Sequence, residues 1–316
     1  MTKKWLKQEV RHPFTSGKKM NVSLKMKLAL IRSGFKWLAC LAPYLAARLA
    51  LRFFLTPPRH GIPEWQKPYL ASATLFTLKI QNKAIRFYQW GSDGPTVLLV
   101  HGWGGRGSQL GAFIHPLIHA GYRVLALDGP AHGASSGKQS DMFEFAAAIG
   151  SAMQIAGTPD AIITHSFGSA CTLLALHENQ IKTARLVLIG CPSNAVWITE
   201  DFADKLAISR KVISGMRKLF EHRYENRWTW ENLALSKLIR KITIPTLIIH
   251  DRKDLEVPYQ QAVELNEANP ISTLYTTEGL GHRRILRAPE VVNTSLSFIL
   301  AGKTNREGNR ECDYTL

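Results

Sequence analysis

The run Ile162-Ile163-Thr164-His165-Ser166-Phe167-Gly168-Ser169 carries an apolar stretch of strand length straight into a serine and then into a helix-forming segment. A buried strand that turns sharply into a helix at a serine holds the hydroxyl clear of the sheet. It also sets that hydroxyl at a helix N-terminus, where free backbone N–H groups and the helix dipole favour developing negative charge. Gly168 would let helix and strand approach closely. The same pattern fits a serine that only caps the helix, so the sequence around it has to separate a nucleophile from a cap.

Working outward, short β-rich runs alternate with stretches of helical length. Ala73 to Ile80 and Ala84 to Trp90 read as a hairpin turned at Gln81-Asn82-Lys83. Thr96 to His101, Tyr122 to Asp128, Ala161 to His165, Arg185 to Gly190, Thr246 to His250 and Ser272 to Thr276 read as further strands. Near-continuous apolar strands separated by amphipathic helices predict βαβ units around a mostly parallel sheet covered on both faces. One separation is too long for a simple crossover. Residues 192–245 are rich in helix formers and aromatics and read as an inserted helical lid, with Trp197 and Phe220 as candidates to line an apolar acyl pocket or to pack the lid's own core.

Four motifs then fall in order along these elements, and together they resemble the α/β-hydrolase family from about residue 74 to residue 300. Thr164-His165-Ser166-Phe167-Gly168 is similar to the family's G-x-S-x-G elbow, with threonine in place of the first glycine. His101-Gly102-Trp103-Gly104-Gly105 resembles its HG-containing oxyanion loop. Asp128-Gly129-Pro130-Ala131-His132-Gly133-Ala134-Ser135 resembles its D-x-P-G-H-G-x-S turn, with Ala131 replacing a glycine. His250-Asp251-Arg252-Lys253-Asp254-Leu255-Glu256-Val257-Pro258 and Gly279-Leu280-Gly281-His282 match its acid and base segments.

The resemblance implies Ser166 as nucleophile, His282 as general base and Asp254 as the acid that orients it, with the Trp103 and Phe167 amides as oxyanion donors. Asp251, three residues from Asp254, is the rival carboxylate. His132 is structural by the same analogy, and of the eleven histidines only His282 follows the acid, in the Ser, Asp, His chain order of this fold. The implied reaction is hydrolysis of carboxylic esters through an acyl-enzyme. Thioesterase or acyltransferase chemistry on the same triad is the alternative, and a non-catalytic binding protein of the same fold is a further one.

The formal charge of +16 is unevenly placed, since thirteen basic residues against Glu9 alone leave the first sixty residues at +12. Such an arm suits a polyanionic surface. An apolar stretch from Leu28 to Leu55 follows, ended by Pro57-Pro58 and broken by Pro43 and by Arg48 and Arg52. Its uncharged run from Trp37 to Ala47, eleven residues with Pro43 inside it, is shorter than a spanning helix, which needs about 20 apolar residues. Residues 1–55 therefore suit contact with an anionic membrane surface, or else a helix packed on the catalytic domain.

Cys40, Cys171, Cys191 and Cys312 have no metal-ligand or redox spacing, which suits a reducing, cytoplasmic compartment, including the inner face of a membrane. No cofactor or metal is implied, and no nucleic-acid module accompanies the basic residues. The expected divisions are 1–69 (basic arm and apolar helical segment), 70–191 and 246–302 (α/β-hydrolase core), 192–245 (lid) and 303–316 (polar tail).

Overall fold

A computed structural model of the chain describes residues 22–178, 181–225 and 228–312. Most of the basic arm and the last four residues lie outside these. The strands are β1 (Thr74–Ile80), β2 (Lys83–Trp90), β3 (Thr96–Val100), β4 (Arg123–Leu127), β5 (Ala161–His165), β6 (Arg185–Ile189), β7 (Thr246–Asp251) and β8 (Ser272–Thr277). They form one sheet in the order β1-β2-β4-β3-β5-β6-β7-β8, antiparallel through β1, β2 and β4 and parallel from β4 onward. The hairpin turns where Gln81 and Asn82 both take positive φ, at 45° and 65°, the geometry that follows the twist of paired strands.

Eight helices matter here: α1 (Val22–Leu41), α2 (Pro43–Phe54), α3 (Met142–Ser151), α4 (Phe167–His177), α5 (Ala195–Leu206), α6 (Arg210–Arg223), α7 (Gln260–Ala268) and α8 (Pro289–Cys312). The central strands are buried on both faces, which is why they read as unbroken apolar runs. Leu98, Ile162 and Leu188 point to the layer of α3 and α4, whereas Val97, Ile163 and Ile189 point to the layer that includes α8 and Phe113. Strand order reverses at β3, which lies between β4 and β5. Open α/β sheets place their sites at the carboxyl ends of strands beside such a reversal.

The N-terminal helices form a third cluster. Pro43 begins α2 rather than merely interrupting a helix, because its missing N–H costs nothing at a first turn. Ala46, Ala47 and Ala50 of α2 pack on Val212, Ile213 and Met216 of α6. The approach is close: a Cβ at Gly215 would stand 3.0 Å from that of Ala47. The helices α5 and α6, which follow β6, thus carry α1 and α2. At the other end, α8 continues to Cys312, into the segment the sequence reads as a polar tail.

Candidate active site

Ser166 stands where β5 gives way to α4, with φ 51° and ψ −121°. L-residues held in such sparsely populated regions cost roughly 1–3 kcal/mol, which the surroundings must over-determine. Here the Ser166 N–H donates to the Ile189 carbonyl at 2.8 Å, tying the turn to β6. Gly168 has to be glycine, because a Cβ there would collide with the His101 carbonyl oxygen. Thr164 does not crowd the turn. Its hydroxyl donates to the Val187 carbonyl at 3.0 Å and lies 2.8 Å from the Ser169 hydroxyl.

Two loops at the ends of β7 and β8 supply the other groups. His282 Nδ1 donates to Asp254 Oδ2 at 2.7 Å, which leaves Nε2 as the basic nitrogen. The other oxygen of Asp254 accepts the Glu256 and Val257 N–H groups at 2.8 and 2.9 Å. His250 donates from Nε2 to the Val257 carbonyl at 2.9 Å, with that nitrogen 3.4 Å from Asp254 Oδ2. Burial alone would raise the Asp254 pKa. The hydrogen bonds from His250 and His282 and the charge of His282 outweigh it and hold the carboxyl well below the usual carboxylate range.

The rival carboxylate is engaged elsewhere. Asp251 accepts the Thr277 hydroxyl at 2.8 Å and the Lys253, Leu280 and Gly279 N–H groups at 2.9, 2.9 and 3.2 Å. It fastens the Gly-Leu-Gly-His loop to β7 while Asp254 faces the imidazole.

A Cβ at Gly102 would stand 3.1 Å from Ser166 Cβ and 2.8 Å from His165 Nδ1, so the glycine loop after β3 touches the elbow directly. His101 secures that loop. It donates from Nδ1 to the Gly102 carbonyl at 2.7 Å and accepts the Gly129 N–H at Nε2 at 2.9 Å. Burial lowers its pKa to about 4, so it is neutral in this tautomer. The Trp103 ring meets Phe167 edge-on at 4.9 Å and His132 at 5.0 Å. His132 itself turns back onto the Pro130 carbonyl at 2.8 Å, within its own turn.

Ser166, His282, Trp103 and Phe167 open on a cavity of about 460 Å³, which Trp197 and Phe220 also line. All the residues selected from the sequence therefore meet at one site. Sequence reasoning missed Phe54, which reaches the cavity from α2 and packs on Phe202 at 5.2 Å and Trp230 at 6.0 Å. Its one signal is the Phe53-Phe54-Leu55 run ahead of the double proline. Sequence reasoning also missed His165 and His250, whose roles depend on loops distant in sequence. Glu256 and Arg283 face each other at the cavity in a two-pronged ion pair of 2.8 and 3.1 Å. Among the described residues, no His, Cys, Asp and Glu group is arranged to hold a metal ion.

The model of the alpha/beta hydrolase family matches residues 97–294, more than half of the chain. The chain belongs to the alpha/beta hydrolase family. It is 25% identical over 248 residues to pyrrolizixenacetamide deacetylase of Xenorhabdus hominickii, covering 66% of this chain and 92% of that protein. The thioesterase domain from the curacin biosynthetic pathway superposes with a TM-score of 0.51 at 19% identity, covering 72% of this chain and 99% of that domain. A membrane phospholipase A superposes with a TM-score of 0.56 at 18% identity, covering 90% of this chain and 98% of that one. At such identities the solved structures speak for the fold alone. The family hydrolase architecture is thus established, with helices added at the N-terminus.

Proposed function

We propose that this hydrolase cleaves carboxylic esters with apolar, lipid-derived acyl groups through an acyl-enzyme on Ser166. The observation that carries the reading is the meeting of three separate loops on one apolar cavity: the strained serine turn, the Asp254-oriented His282 and the glycine loop of Trp103. In this mechanism His282 Nε2 takes the Ser166 proton as Oγ attacks the acyl carbonyl. The Trp103 and Phe167 amides hold the oxyanion, and one such donor is worth roughly 3 to 4 kcal/mol. His282 then delivers the proton to the departing alcohol. Water, deprotonated by the same imidazole, releases the acid.

Aromatic lining from Phe54, Trp197 and Phe220 supports an apolar acyl group. Residues 192–245 act in this reading as the lid over it. Among the described residues no helix is long and apolar enough to cross a membrane. The placement that fits the basic arm is peripheral, at the cytoplasmic face of a membrane. The deacetylase name of the 25% identical relative favours a second reading, in which the acyl group is acetyl and the bond an amide.

The test is labelling by a fluorophosphonate probe, with Ser166→Ala as control, followed by turnover of p-nitrophenyl esters from acetate to palmitate and of an N-acetyl amide. Labelling confined to the wild type, with faster turnover of longer acyl chains, is expected. A folded protein that takes no label would overturn the serine mechanism. Turnover limited to the acetamide would move the second reading to first place.

A further inference from the structure

Helix α1 is apolar on two opposite faces. One face, with Phe35 and Ile31, packs into the cluster of α2 and α6. At 100° per residue, Met26, Leu30, Trp37 and Leu41 fall within about 60° of arc on the opposite face. Leu30, Trp37 and Leu41 are 71%, 70% and 81% exposed, and Tyr44 and Leu45 continue the exposed apolar surface around the Pro43 corner. A contiguous patch of this kind, with a tryptophan and a tyrosine in it, marks an interaction surface rather than ordinary scatter of exposed apolar residues.

Its flanks say what covers it. Lys27 lies beside the stripe on one side of α1, Lys36 and Lys25 lie further round on the other, and the exposed Arg48 and Arg52 project from α2. No acidic residue occurs between Glu9 and Glu64. A second copy of this chain seated on the same face would bring cations against cations, so self-association is disfavoured by charge.

We infer that the outer face of α1 and the α1–α2 corner lie in the interfacial layer of an anionic lipid bilayer, with Trp37 and Leu41 inserted and the lysines among the headgroups. The helix that follows this surface reaches the cavity. Phe53 and Phe54, at the far end of α2, line the cavity, and on its inward side α1 is tied by Arg32, which donates to the carbonyl of Lys205, itself a lining residue, at 2.9 Å. The inference deepens the esterase reading by naming the source from which an acyl chain would be drawn, and depends on that reading only in this respect.

The test is flotation of the full-length Ser166→Ala protein, with and without Trp37→Ser/Leu41→Ser, on vesicles of phosphatidylcholine alone or with 30% phosphatidylglycerol. Binding to the anionic vesicles at least tenfold above the neutral ones is expected, falling at least tenfold in the double variant, whose substituted side chains are too exposed to hold the fold. Undiminished binding by that variant would assign the effect to the basic arm and overturn the docking face. So would a dimer in solution that the double substitution dissolves. Fluorophosphonate labelling of the same substitutions on the Ser166 background separates the two readings: labelled protein that does not float refutes docking alone, and floating protein that takes no label refutes the hydrolase alone.

Discussion

His165 donates from Nε2 to the main-chain carbonyl of His282 across 3.0 Å, with the two rings 4.6 Å apart. A carbonyl only accepts, so this nitrogen carries the proton. Burial, followed by the charge of His282, pushes the His165 pKa well below the ordinary value, which keeps the ring neutral. The residue before the proposed nucleophile thus grips the backbone of the proposed base. His165→Ala is expected to lower kcat by about tenfold, a barrier of roughly 1.4 kcal/mol, with KM little changed. His165→Gln, which keeps a donor, should recover part of the loss. Unaltered kcat and pH profile in the alanine variant would rule out a positioning role.

Asp254 and Asp251 separate by readout. Asp254→Asn leaves the fold intact but presents the wrong partner to His282 Nδ1, and a fall in kcat of about 10³ to 10⁴ is expected. Asp251→Asn removes an acceptor that holds four donors of the neighbouring loops. Its main effect should be a loss of about 1–3 kcal/mol in urea unfolding, with a smaller kinetic penalty. The opposite pattern would exchange their roles.

The pH dependence of stability follows from buried neutral histidines. Burial lowers His101 to about 4, and burial with the nearby His101 lowers His132 to about 3. Because these folded values lie below the unfolded one, the unfolded chain binds more protons between them. Stability is therefore full above about pH 6.5 and declines as pH falls, by up to about 1.4 kcal/mol per unit for each such histidine. Asp254, also depressed, adds stability above its unfolded value of about 3.9 that is lost in stronger acid. Urea midpoints at pH 7, 6 and 5 should fall steadily, and less steeply in His132→Gln.

The two departures from the family motifs have opposite predicted signs. Ala131 is held at φ 63°, where a Cβ is unfavourable, so Ala131→Gly should stabilise by up to about 1 kcal/mol. Thr164→Gly strips a buried hydroxyl from Val187 and Ser169 and should destabilise by about 1–3 kcal/mol. Paired denaturation curves check both.

The strands were legible because a sheet buried on both faces writes itself as continuous apolar runs, and every predicted strand lies within a residue or so of its observed bounds. Ser166, Asp254 and His282 were legible because each sits at a strand end beside residues that the turn requires. The motif already favours Asp254 over Asp251, but what Asp251 does was not legible: only the folded loops bring it to the Thr277 hydroxyl and three backbone N–H groups while Asp254 meets the imidazole. The contribution of α2 was hidden for a different reason. Ala46, Ala47 and Ala50 are too small to signal a core face by hydropathy, and only the fit of Ala47 against Gly215 reveals how closely α2 and α6 approach.

Phe54 gives that helix a consequence for anyone who trims the protein. A chain begun at Thr56 to leave behind the basic and apolar segments would keep every residue of the proposed triad yet lack one wall of its chamber, and the faces of Val212, Ile213 and Met216 would be laid open to water. The N-terminal segment is structural masonry for the enzyme as well as an approach to it, and catalytic measurements on a shortened form would describe a differently shaped vessel.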